Sequence, residues 1–298
     1  MHKHKVAILL SAYNGEQWIE EQLRSIIEQN NVSLDIYISI DESTDRTLDI
    51  CQAYAKKNNN ITILPYGFKF GGAGKNFFRL LADTDLTGYE YIAFSDQDDI
   101  WYGDKLTKAI NQLQQYDCYS SNVIAFWEDG REMLVDKSQP QLEWDYMFEA
   151  AGPGCTYVLR REVAIAFKAW LLERYVQIGN EIHLHDWLIY AFSRNRNYRW
   201  FIDSKPMMLY RQHANNQVGT NNNFTAAKKR FKLIRDKWYR DQVIKIAENI
   251  DLKETEIYKF GLMNGYKGNI FLLLRVGQLR RRFRDRAALA VVLILNLF

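Results

Sequence analysis

The chain has 298 residues, 47% hydrophobic and 25% charged, with a formal net charge of +3; this excludes a disordered or low-complexity protein and suits one large domain or a domain plus an extension. The charge is unevenly spread. Residues 224–298 hold 17 Lys/Arg and 7 Asp/Glu, net +10, so the rest holds 39 − 17 = 22 basic and 36 − 7 = 29 acidic residues, net −7.

In chain order, Val6–Ser11 is a short apolar run of buried-strand type, broken by the turn Ala12-Tyr13-Asn14-Gly15. Glu16–Gln29 then spaces Trp18, Ile19, Leu23, Ile26 and Ile27 as one face of a helix. Leu34–Ile40 reads as a second strand, ending at Asp41, and Ser43-Thr44-Asp45 opens a second helix. Ile61–Leu64 is a third strand, stopped by Pro65. A glycine-rich loop, Gly67–Gly74, precedes a helix over Asn76–Ala82. Tyr91–Ser95 is a fourth strand and Tyr102–Gln115 the helix after it. Val123–Trp127 reads as a strand, Arg131–Glu149 as an irregular excursion and Gly152-Pro153-Gly154 as a turn. Thr156–Leu159 reads as a strand, Arg161–Glu173 and His185–Phe192 as helices, and Tyr198–Ile202 and Pro206–Tyr210 as a final pair of strands. Alternating strands and helices predict an α/β fold with a mostly parallel sheet. From Phe224 onward helical periodicity dominates, with the join placed near Asn221-Asn222-Asn223.

In such a sheet, ligands bind outside the carboxyl ends of the strands. Three of these ends carry chemistry: Tyr13 and Asn14 after the first strand, Asp41 after the second, and Asp96-Gln97-Asp98-Asp99 after the fourth. Asp-x-Asp at a strand tip suits a hard divalent cation that shares diphosphate oxygens. A tyrosine can pack on a base, and a carboxylate can accept a base N–H. Taken one at a time, these residues have plainer readings: a covered core edge for Tyr13, a helix cap for Asp41 or Asp186, a solvated turn for the acidic run. Cys51, Cys118 and Cys155 are scattered with no C-x-x-C pair, so neither a zinc site nor a disulfide framework is expected, and a reducing cytosol is. No apolar run has the signal-peptide pattern or the length of a membrane span.

Five stretches carry a family likeness: Ser11-Ala12-Tyr13-Asn14-Gly15, Ser39-Ile40-Asp41-Glu42-Ser43-Thr44-Asp45, Phe94-Ser95-Asp96-Gln97-Asp98-Asp99-Ile100-Trp101, His185-Asp186-Trp187 and Tyr210-Arg211-Gln212-His213. With them the chain resembles the inverting GT-A glycosyltransferases of family 2, in particular their bacterial rhamnosyltransferase-like branch. The resemblance spans about residues 6–220 and implies a GT-A domain over residues 1–220; charge and helical periodicity make residues 221–298 a basic helical extension. It implies donor contacts from Ala12, Tyr13, Asn14, Asp41, Gly74, Asn76, Asp96 and Arg211. A Mg²⁺ or Mn²⁺ ion would be held by Asp98, with Asp96 and His213, and Asp186 would be the catalytic base. His185 departs from the acidic pair common at that place in the family, which leaves its role open.

The implied donor is a nucleotide diphosphate sugar, first dTDP-β-L-rhamnose and alternatively a UDP-hexose. The implied acceptor is a glycan or lipid-linked saccharide. A nucleotidyltransferase would instead carry a lysine-bearing glycine loop after the first strand, and a non-catalytic membrane-surface protein would have no need of Asp96, Asp98 and Asp186. At the C-terminus, five arginines within Arg280–Arg286 precede twelve residues that are apolar except Asn296. This pattern fits an anchor on anionic lipid at the inner face of the bacterial membrane, or a terminal helix packed on the domain or in a homodimer. Nucleic acid is not expected, since no nucleic-acid motif accompanies the basic tail.

Overall fold

The computed structural model describes residues 3–213 and 237–298. The join expected near residues 221–223 lies outside them. The strands are β1 (His4–Ala12), β2 (Val32–Ile40), β3 (Ile61–Ile63), β4 (Tyr91–Ser95), β5 (Ile100–Trp101), β6 (Cys118–Ser121), β7 (Val123–Phe126), β8 (Glu132–Val135), β9 (Val158–Arg160), β10 (Trp200–Asp203) and β11 (Met208–Arg211).

Seven of them form one sheet in the order β10-β6-β9-β4-β1-β2-β3. All neighbours in it run parallel except β9, which is antiparallel to β4 and β6. Val6 to Leu10 of β1 are fully buried, as a central strand covered on both faces should be. Its side chains alternate between two cores: Ala7 and Leu9 point to one, Val6, Ile8 and Leu10 to the other. A smaller sheet, β5-β11-β7-β8, stands apart. The chain passes from one sheet to the other at Asn122, whose amide side chain donates to Asp136 Oδ1 (2.9 Å) and the Ser204 carbonyl (3.0 Å).

The flanking helices are α1 (Ile19–Ile27), α2 (Thr47–Lys57), α3 (Ala73–Asp83), α4 (Lys105–Gln112), α5 (Asp145–Phe148), α6 (Arg161–Glu173), α7 (Tyr175–Glu181) and α8 (His185–Asn195). The C-terminal segment adds α9 (Trp238–Asn249), a π-helical turn (Ile257–Leu262), α10 (Gly265–Leu274), α11 (Val276–Leu279) and α12 (Phe283–Ile294).

Several expectations change. The excursion over residues 131–149 contains β8 and α5. The two late strands are not a pair, because β10 joins the large sheet and β11 the small one. β6, with two fully buried serines, and the short helix α7 carry no strong apolar pattern and were not anticipated.

The C-terminal segment shares a core with the body. Val243, Ile246, Leu272, Leu279, Leu293 and Phe298 are buried in the same cluster as Phe77 and Phe94. Three of the five arginines point inward. Arg281 is fully buried and pairs with Asp145 at 2.7 Å, while donating to the carbonyls of Ala150 (2.7 Å) and Ala151 (3.3 Å). Its backbone N–H donates to Glu149 Oε1 (2.6 Å). Arg280 reaches the Phe148 carbonyl (3.1 Å), and Arg286 the carbonyls of Arg280 (2.8 Å) and Arg281 (2.7 Å). Only Arg284 stands far out, its side chain 84% exposed.

Candidate active site

The register pairs Ala12 with Ile40 and Leu10 with Ser95, so the loops after β1, β2 and β4 emerge side by side. They are tied to one another. The Tyr13 backbone is bonded on both sides by one amide: its N–H donates to Gln97 Oε1 (2.7 Å) and its carbonyl accepts from Gln97 Nε2 (2.8 Å). A Cβ on Gly15 would fall 2.2 Å from Gln97 Oε1, so the loop admits only glycine there without displacing that amide. Asn14, with φ of +44°, accepts the Thr44 N–H through Oδ1 (2.8 Å). Tyr13 is left half exposed at the rim.

Asp41 is buried and accepts three backbone N–H groups, from Glu42 (2.9 Å), Phe70 (2.8 Å) and Gly71 (2.9 Å). Its carboxylate therefore holds the glycine-rich loop against the sheet edge. Asn76 is buried, donates to the Ser39 carbonyl (2.9 Å) and accepts the Ser39 hydroxyl, linking α3 to β2. Gly74 packs directly on the segment leading into α8, where an added Cβ would lie 2.4 Å from the His183 carbonyl oxygen. Gly74→Ala is expected to cost about 1–3 kcal/mol of stability by overpacking, read as a lowered denaturation midpoint. Unchanged stability would show that the loop yields.

The acidic tip lies beneath these loops. Asp98 Oδ2 is 2.7 Å from His213 Nε2, and the imidazole stacks on Trp18 with centroids 4.0 Å apart. Asp99 is fully buried; its Oδ1 accepts the Arg211 N–H (3.2 Å) and its Oδ2 has no hydrogen-bond partner. Asp96, Asp99 and Cys155 offer atoms all within 4.8 Å of one another. Burial first, and then the Asp98 charge, raises both neighbouring carboxyls: Asp96 to about 7, with Asp186 adding to the rise, and Asp99 well above its ordinary value. Burial and both carboxylates keep the Cys155 thiol protonated.

Lys105 is fully buried beside this cluster, donates to the Cys155 carbonyl (2.9 Å) and sits 3.3 Å from the Trp101 ring centroid. Burial lowers its pKa to about 7, opposed by the Asp99 and Asp96 charges. Lys105, Gln97 and Trp18 were not anticipated as parts of the site. Arg211 is turned partly away from a phosphate role: Nε donates to the Asp98 carbonyl (2.8 Å) and the guanidinium pairs with Glu21.

Asp186 stands in the first turn of α8, its Oδ1 accepting the Trp187 N–H (2.8 Å). Burial raises its pKa to about 6. Neighbouring His185 stacks on Phe77 (4.0 Å) with Nε2 unpartnered, and burial drives its pKa down to about 3. It is thus a neutral wedge between helix and sheet. A Cβ on Gly154 would come within 2.6 Å of His185 Nε2 and 3.0 Å of Asp186 Cβ, so the absent side chain at this turn is what lets α8 approach the sheet. The sequence-expected residues thus gather along one edge, with Gly74 and Asn76 acting as packing and bridging groups behind it.

Solved structures share this architecture. Staphylococcus aureus TarS residues 1–349 in complex with UDP-GlcNAc superposes with a TM-score of 0.55 at 17% identity, covering 98% of this chain and 88% of that one. Mannosyltransferase PcManGT from Pyrobaculum calidifontis, in complex with GDP-Man and Mn²⁺, gives 0.54 at 16% identity, covering 100% and 81%. Fold and site together define a glycosyltransferase of the GT-A type. The chain belongs to glycosyl transferase family 2, whose sequence model matches residues 7–162. It is 53% identical to the dTDP-rhamnosyl transferase RfbG of Shigella flexneri over 97% of this chain and 100% of that protein. It is 31% identical to a putative teichuronic acid biosynthesis glycosyltransferase, TuaG, of Bacillus subtilis, over 46% of this chain and 51% of that protein.

Proposed function

We propose that this enzyme transfers L-rhamnose from dTDP-β-L-rhamnose, with inversion, to a saccharide carried on a lipid at the cytoplasmic face of a bacterial membrane. The observation that carries the sugar assignment is the 53% identity to a dTDP-rhamnosyl transferase along nearly the whole chain. In the reaction, the acceptor hydroxyl oxygen bonds to the anomeric carbon as the bond to the diphosphate oxygen breaks. The hydroxyl proton passes to Asp186, whose raised pKa matches a base working near neutrality. Tyr13 packs on the base at the rim, and the Asp41-braced loop lies beside it.

The residues present fit a hard divalent cation. Asp96, Asp98 and His213 offer carboxylate and imidazole donors, and the buried Oδ2 of Asp99 beside them lacks a hydrogen-bond partner. The sulfur of Cys155 is a soft donor and a poor match for so hard an ion. When bound, Mg²⁺ or Mn²⁺ neutralises charge on the leaving diphosphate.

Calorimetric titration of the full chain with dTDP-rhamnose, UDP-glucose and UDP-GlcNAc, each with Mn²⁺ and with EDTA, tests this reading. Tightest binding is expected for dTDP-rhamnose with the metal. Preference for a UDP-hexose would replace the sugar assignment by the alternative hexosyltransferase, and equal binding in EDTA would remove the metal.

A further inference from the structure

Helix α10 is apolar on every side, GYKGNIFLLL with one charge, yet only Gly268, Asn269 and Leu272 are buried. A helix hydrophobic all round belongs inside a core or against another apolar phase. On its outer side Tyr266, Ile270 and Leu274 follow at i, i+4 and i+8, a single stripe, with exposures of 50%, 45% and 79%. On α12 the inward side is Leu289 and Leu293, and the outward side carries Val291 and Ile294, continued by Leu295, at 54%, 54% and 60% exposed. The two stripes meet: the Tyr266 hydroxyl donates to the Ile294 carbonyl (3.3 Å). Phe283, 82% exposed, stands at the start of α12. Contiguous exposure of this kind on a globular chain marks an interaction surface.

The charge around it selects the partner. Residues 260–298 contain seven Lys/Arg and one acidic residue, Asp285. Arg280, Arg281 and Arg286 are used inside the fold, but Lys267 is exposed and Arg284 extends into solvent beside Phe283. Apolar side chains rimmed by cations are what an interfacial helix pair presents to anionic lipid.

The geometry points to a docking face for an anionic phospholipid bilayer, built by the outer stripes of α10 and α12. This deepens the lipid-linked part of the proposed function. It assigns the contact to Tyr266, Ile270, Leu274, Val291, Ile294 and Leu295, and not to the arginine run as such, which is largely a clasp on the body.

The test is co-sedimentation of the full chain with vesicles of phosphatidylcholine alone and of phosphatidylcholine with phosphatidylglycerol. It compares wild type, the triple variant Ile270→Glu/Leu274→Glu/Val291→Glu and the rim variant Lys267→Glu/Arg284→Glu. Wild type should bind the anionic vesicles and prefer them over neutral ones. The triple variant should lose at least tenfold in partitioning, and the rim variant should lose the preference for anionic lipid. All three should keep equal dTDP-rhamnose titrations and melting curves, which separates failure here from failure of the donor assignment. Wild type that stays in the supernatant, or a triple variant that binds as well as wild type, overturns the proposal. So does a wild-type dimer in light scattering that the triple substitution dissociates, since the face would then belong to a second copy.

Discussion

Asp186→Asn should lower kcat by roughly 10²–10⁴-fold, the usual contribution of a positioned general base, while donor affinity stays unchanged. The same substitution should make the protein more stable. Asp186 is buried and its pKa is raised to about 6 from an ordinary 3.8. For a carboxyl raised in the fold, the stabilising contribution of the protonated form is fully present below the unfolded pKa. It is lost as pH rises through the folded one. At pH 7–8 the ionised group therefore costs up to about 3 kcal/mol, at about 1.4 kcal/mol per pKa unit, and asparagine removes that cost while keeping a side-chain oxygen for the Trp187 N–H. The wild-type rate should accordingly fall about tenfold per pH unit below pH 6, since only the carboxylate can take the acceptor proton. Steady-state rates from pH 5 to 8, with urea denaturation of both proteins at pH 7.5, check all three expectations. If Asp186 merely caps α8, the variant would retain turnover and differ little in stability.

Arg281→Met should destabilise the protein by about 3–5 kcal/mol, the usual consequence of removing one partner of a buried ion pair. The guanidinium bridges Asp145, which is fully buried, and the carbonyls of Ala150 and Ala151. Methionine fills the volume but takes the guanidinium from the Ala150 and Ala151 carbonyls, and leaves Asp145 with Arg194 (3.1 Å) as its remaining cation and the Tyr190 hydroxyl (2.8 Å) as a neutral donor. Arg281→Lys should recover little, because one ammonium cannot reproduce a fork that serves several acceptors. Asp145→Asn combined with Arg281→Met should be less damaging than the two single effects added. Chemical denaturation of wild type, the three single variants and the double variant measures this. A wild-type midpoint for Arg281→Met would mean that the buried pair contributes nothing net.

The parts of the molecule legible in the sequence were those where local pattern and burial coincide. β4 begins and ends at Tyr91 and Ser95 as expected, because five apolar or small residues are bounded by polar turns. The acidic tip, Tyr13 and Asp41 gather on one edge because parallel strands deliver their carboxyl ends there, and the first turn of α8 brings Asp186 close to Asp96. What stayed hidden depends on distant partners. Lys105 lies on an amphipathic helix and reads as a solvated charge, but its ammonium is buried against Cys155, fifty residues on. The Gln97 clasp on the Tyr13 backbone spans 84 residues. β6 escaped because Ser120 and Ser121 are polar yet fully buried. The arginine run reads as a surface for anions, since nothing local reveals that Asp145 and Glu149 receive it.

That last pairing constrains how the protein is made. Synthesis delivers Asp145 136 positions before Arg281, at about 5–20 residues per second. For that interval, several seconds or more, Asp145 has Arg194 beside it but not Arg281, and α5 and α8 lack the apolar side chains of Leu279, Leu293 and Phe298 that complete their core. The nascent body is therefore left with an open apolar groove until α11 and α12 leave the ribosome.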